Sequence, residues 1–206
     1  MGVKQSCILN SLQYFNTCEH FSVDIMHDIL EGVAQYKMKL IMLHAIDQYT
    51  TSKEVDTRIK SFNYGYMEQN NKPPTVKLGE DSNDLELNAI QSWCLHRHLP
   101  LIFGDLVCPN DQHWYLLLLL FQVVNIVFSA VLSKGITIFL KHLIAKHHRL
   151  SKSLFPHKKL LPKHHFMMHY RTRILKTGPL LHSWCIRNEA KHSFFKKTIE
   201  KFQKRN

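Results

Sequence analysis

The sequence predicts a mainly α-helical fold, and three observations lead to it. Apolar residues recur at helical spacing through 23–48. A second run of the same kind spans 85–98. Residues 114–133, WYLLLLLFQVVNIVFSAVLS, form an uncharged apolar stretch of helical length. Hydrophobic residues are 45% of the 206, enough for the core of one domain or one and a half.

Taken in order, residues 1–21 show no clear periodicity and read as a connector that buries Tyr14, Phe15 and Phe21. The 23–48 helix has Ser22 available as its N-cap. Met26, Ile29, Leu30 and Val33 share one face, and Asp24, His27, Asp28 and Glu31 share the opposite one. Residues 50–85, broken by Asn70-Asn71 and Pro73-Pro74, predict a short helix and then a loop through Leu78-Gly79-Glu80-Asp81. In the helix from Leu85 to His98, Leu87, Ile90, Trp93 and Cys94 face inward, and Pro100 ends it.

Two readings stand for 114–133. A single-pass membrane span has the right length. Gln122 and Asn125 in its middle, with Asp111, His113 and Lys134 at its flanks, favour a buried central helix instead. A break near Gly135 precedes a continuation through Leu150. Pro156, Pro162 and Gly178-Pro179 punctuate the remainder, which holds a helix over 164–176 and a final basic helix from about Trp184.

Charge narrows the partners. Lys and Arg number 27 against 16 acids, a formal charge of +11. That surplus favours DNA, RNA or an acidic membrane surface without choosing among them. The five cysteines are odd in number, widely spaced and without a CxxC pair, so a disulfide framework is not expected and a reducing compartment is. Residues 1–20 lack the basic start and apolar run of a signal peptide. No GxSxG, GxxxxGK[ST] or GxGxxG pattern occurs.

Three groups of residues can carry chemistry. Asp24, His27, Asp28 and Glu31 can hold or orient a divalent cation, or simply form a solvated face near a helix N-terminus. His165 and His169 stand at i,i+4 on one helix face, and His164 and His169 at i,i+5. Either pair supplies half of a tetrahedral zinc site, or belongs to an exposed basic surface. Glu189 is an isolated acid among Arg187, Lys191, His192, Lys196 and Lys197. It serves as a metal-binding carboxylate on a DNA-holding helix, or pairs with Arg187 or Lys196 at the surface.

Strings in these segments resemble a known group. VDIMHDILEGV (23–33) is similar to the D-x-M-H-D-[IL]-x-E-G-V block of the CACTA-like (En/Spm-related) eukaryotic DNA transposases. LFP…LLPKHHFMMHY (154–170) and GPLLHSWCIRNEAKHSFFKK (178–197) resemble their C-terminal block. The apolar stretch 116–129 also fits, so the resemblance covers nearly the whole chain in order. Arg171 follows Tyr170 where the family often has Pro.

The resemblance implies a part of an RNase H-like catalytic domain with a DDE triad. Residues 1–153 would be its helical insertion region, and 154–206 its His-rich segment and terminal basic helix. Glu189 takes the place of the final Glu, and Asp24 and His27 that of a D-x-x-H motif. His164 and His169, with His165 beside them, resemble the H-x4-H half of a zinc site whose C-x2-C half belongs upstream. The first two Asp and the strands bearing them also belong upstream of Asp24, which has only 23 residues before it. One carboxylate cannot assemble a two-Mg²⁺ centre, so productive Mg²⁺ binding and strand transfer by this chain are not expected.

The expectation is therefore a nuclear, transposase-derived protein, domesticated or remnant, with nonspecific DNA binding through Arg187, Lys191, Lys196, Lys197, Lys201 and Lys204. A full-length transposase or another protein is a further partner, and a membrane is not. Two alternatives remain: a small zinc-dependent nucleic-acid module that draws on cysteines such as Cys7 or Cys18, and the single-pass membrane protein.

Overall fold

Side-chain caps fix where four of the helices begin. Thr51 Oγ1 accepts from the Glu54 N–H at 3.2 Å, and Ser133 Oγ from Ile136 at 3.4 Å. Asn88 and Gln91 form a reciprocal capping box. Asp111 Oδ1 accepts from the N–H groups of His113 and Trp114 at 2.7 and 2.9 Å. Each cap satisfies donors that the first turn leaves unpaired and contributes about 1 kcal/mol.

The computed structural model describes residues 8–16, 23–76, 78–79, 82, 84–186 and 195. Among the described residues the fold is helical and contains no strand. A 3-10 turn, Ile8–Ser11, precedes a π-helix, Met26–Val33, that runs directly into α1, Ala34–Gln48. Then come α2, Ser52–Ser61, and α3, Ala89–Phe103. The remaining helices are α4, Gln112–Val127; α5, Lys134–Leu154; α6, Pro162–Met167; and α7, Tyr170–Thr177. A last 3-10 turn covers Leu180–Ser183.

The apolar stretch supplies the centre. Leu116, Leu120, Val123 and Val127 of α4 are fully buried, packed among α1, α3 and α5. Helix α4 has 16 residues, about 24 Å of rise against a hydrocarbon layer of about 30 Å. No described helix is long and apolar enough to cross a membrane. The apolar run stops at Val127 because Phe128–Leu132 form a connection and Ser133 caps the next helix. The break therefore falls before Gly135, and α5 folds back along α4, bringing Lys146 onto Tyr115.

Five further expectations are corrected. Tyr14 is exposed rather than buried. The helix expected from Leu85 begins at Ala89, where Asn88 caps it. Pro100 does not end α3, which continues through Phe103. A proline removes one backbone hydrogen bond and clashes with the preceding turn, at about 3 kcal/mol. Burial of Leu99, Ile102 and Phe103 offsets that cost. The helix over 164–176 is two helices, because the chain turns at Met168-His169 between α6 and α7. The acidic face of 23–33 is not wholly solvated. Asp28 is buried, because α6 packs on the π-helix and Tyr170, at the start of α7, reaches the carboxyl. Ser22 lies outside the described residues, and Asp24 Oδ1 accepts from the Met26 N–H at 3.2 Å at the start of the π-helix.

Candidate functional site

The π-helix organises the Asp24–His27 pair. Windings with i→i+5 bonds occur mostly as single turns and often at functional sites; here the winding runs over eight residues. Asp24 Oδ2 contacts His27 Nδ1, and His27 Nε2 faces Glu31 Oε2 at 3.7 Å. Asp24 Oδ1 also accepts from the backbone N–H of Cys185 at 3.2 Å. Burial opposes the charge of Asp24, but the bonds from His27, Cys185 and Met26 outweigh it and hold the carboxyl below its ordinary value.

Aromatic packing fixes the same end of the chain. Trp184 meets Trp93 and Phe128 edge-on, each at 5.8 Å between ring centres. Asp24 and this aromatic trio thus position the backbone four residues before Glu189. Arg187, Glu189, Lys191, Lys196, Lys197, Lys201 and Lys204 lie outside the described residues, as do Cys7 and Cys18.

Gly32 leaves room for Lys163 within the same block, and a larger side chain would push that lysine aside. A Cβ on Gly32 would lie 2.3 Å from Lys163 Cδ, where that side chain crosses to donate to the Glu31 carbonyl at 3.0 Å. Asp28 accepts from the Tyr170 hydroxyl at 3.3 Å. Burial pushes its carboxyl up to about 6, against the lowering effect of that bond; the charge of Asp24 adds to the rise. Tyr170→Phe should therefore cost about 1–3 kcal/mol, because it leaves a buried acceptor unpaired. The bond favours the charged carboxylate, so the loss should be larger at about pH 7.5 than at about pH 5.5. Urea unfolding at the two pH values measures the difference.

The histidines of 164–169 separate into two groups. His165 Nε2 and His169 Nε2 meet at 3.2 Å, with His165 exposed. His164 turns inward instead, 1% exposed, against Tyr36, His147 and His148. The ring centres of His147, His148 and His164 are 5.3–6.2 Å apart. Among the described residues, no ring nitrogen of His147 or His164 has a hydrogen-bond partner. Burial and the nearby Lys37 ammonium lower His148 to about 4 and His164 to about 3. Burial lowers Lys37 itself to about 8 and leaves its Nζ bonded to Ser151 Oγ.

A third cluster was not visible in the sequence. His44 Nε2, at the end of α1, lies 2.9 Å from Asp111 Oδ2, and His113 Nδ1 lies 3.6 Å from Asp111 Oδ1. Among the described residues this is the one group of three or more His, Cys, Asp or Glu side chains whose ligand atoms all approach within 4.8 Å, a set able to hold a metal ion. His44 precedes Asp111 by 67 positions, so no local spacing could announce it. Only the Asp111-x-His113 pair carried a signal.

Charge is sharply segregated. No Asp or Glu occurs between Asp111 and Glu189. Within that stretch Lys134, Lys141, Lys146, Arg149 and Lys152 are exposed on α5, and Lys158 and Lys159 are exposed just beyond it. An open groove of about 350 Å³ between α4 and α5 is lined by Tyr115, Phe139, His142, Lys146 and Arg149. No protein-family model, curated protein or solved structure matches the chain.

Proposed function

We propose that this chain is a transposase-derived protein of the CACTA-like group that associates with DNA through charge in the nucleus. The acid-free stretch after Asp111, with its row of exposed cations on α5, is the observation that carries the DNA reading. Phosphate-binding surfaces need this excess of Lys and Arg unopposed by carboxylates. The groove beside that row adds Phe139, whose exposed ring suits stacking with unpaired bases. The transposase ancestry rests on the resemblance of three sequence blocks. It is supported by the approach of Asp24 to Cys185, which draws the D-x-x-H motif to the segment that leads into Glu189.

In this reading Glu189 takes the place of one carboxylate of a triad, and a two-metal centre needs further carboxylates beside it. A full-length transposase or another protein is a further proposed partner. The alternative of a zinc-dependent nucleic-acid module is favoured by one contact, the meeting of His165 and His169.

Fluorescence polarisation with a random-sequence duplex, across a salt series, tests the DNA reading. If the five exposed cations of α5 meet phosphates, log affinity should fall with log salt with a slope of about −4 to −5. Lys141→Glu with Arg149→Glu should weaken binding and reduce that slope by about 2. Absence of binding at low salt, or binding indifferent to salt, would reject it.

A further inference from the structure

We propose that His44, Asp111 and His113 form a zinc-type metal site that ties the end of α1 to the start of α4, with water as the fourth ligand. The donor set carries the assignment. Two imidazole nitrogens and one carboxylate suit a borderline ion such as Zn²⁺, whereas Ca²⁺ and Mg²⁺ require mostly oxygen ligands.

The geometry is close to what such an ion imposes. Bonds of about 2.0–2.1 Å in a tetrahedron set ligand atoms roughly 3.4 Å apart. His44 Nε2 and His113 Nδ1 already lie 2.9 and 3.6 Å from the two oxygens of Asp111. The two imidazoles stack with centres 3.7 Å apart and planes 23° from parallel. Near-parallel rings aim their in-plane lone pairs side by side, so one ring must turn out of the stack to meet the other at one cation. Tyr49 donates its hydroxyl to Asp111 Oδ2 at 2.7 Å, the kind of outer contact that holds a ligating carboxylate in place. The site is independent of the DNA surface. Its three ligands come from α1, from the loop before α4, and from the first turn of α4.

The test uses the full chain, stripped of metal by a chelator, with zinc alone as titrant and Co²⁺ as the spectroscopic probe. Calorimetry should give one zinc per chain, and Co²⁺ should give the visible absorption of a tetrahedral centre. His113→Ala and His44→Gln should each weaken zinc binding at least tenfold, whereas His165→Ala with His169→Ala should leave it unchanged. His44→Gln can still donate to Asp111, so it separates a lost ligand from a lost hydrogen bond. It should keep the metal-free melting temperature but lose the rise that zinc produces. No saturable binding by the stripped chain, or equal affinity in the His44→Gln/His113→Ala double variant, would overturn the assignment. So would loss of binding confined to the His165/His169 variant. The cluster would then be an ion pair supporting the cap of α4.

Discussion

Lowering the pH from about 7.5 to about 5 should unfold the protein, with the loss beginning as soon as the pH passes below about 6.5. Four histidines set this behaviour. Burial, reinforced by Arg97, lowers His96 to about 4. Burial and neighbouring charge lower His148 to about 4, His164 to about 3, and His147 well below its ordinary value. Each is held neutral in the fold and charges freely in the unfolded chain, so the unfolded state binds more protons in the window below 6.5. Stability therefore rises with pH across that window and falls as acid is added, by up to about 1.4 kcal/mol per pH unit for each group. At pH 5 that is roughly 2 kcal/mol for His96 alone, and the His147–His148–His164 cluster adds to it in the same direction, a large part of the stability of a small domain. Asp28 works in the opposite sense. Its folded value of about 6 exceeds the ordinary 3.8, so acid relieves it, by about 1 kcal/mol at pH 5. The histidines win by number. Urea unfolding followed by circular dichroism at about pH 7.5, 6 and 5 measures the slope, and His96→Leu should reduce it by about one proton. A midpoint unchanged across that range would mean that the histidines take up protons without leaving the fold.

Local signals were legible in the sequence, and long-range ones were not. Spacing over 23–48 gave a helix with the right apolar residues inside, because Met26, Ile29, Leu30 and Val33 are read from neighbours three and four apart. The same spacing could not show i→i+5 winding, nor that α6 and Tyr170 would cover Asp28, because those contacts come from residues more than 130 positions away. Pro100 was read by its local cost alone, and the gain from burying Leu99, Ile102 and Phe103 decided otherwise. Asp24 and His27 read as a pair because they are three residues apart, and their side chains meet. The approach of Cys185 and the gathering of His44 with Asp111 and His113 depend on how helices pack, which no motif records.

Shortening one side chain in the middle of the apolar stretch tests what that stretch is for. Leu120→Ala should destabilise the protein by about 2–5 kcal/mol, because a fully buried leucine loses its transfer free energy and leaves a cavity in a close-packed core. Two residues along the same helix, Gln122→Leu should change stability by less than about 0.5 kcal/mol, since Gln122 is exposed at the open groove between α4 and α5. The contrast is set by α4 itself. Its buried residues, among them Leu116, Leu117, Leu120, Val123 and Val124, follow helical spacing, and its exposed ones include Gln122 and Asn125. A helix surrounded by lipid would give the reverse ranking, because hydrocarbon tolerates Ala at 120 and rewards Leu at 122. Urea midpoints of the two variants in detergent-free buffer therefore decide between a core helix and a membrane helix. A small effect at 120 would remove α4 from the centre of the fold, together with the packing that brings Asp111 and His113 to His44.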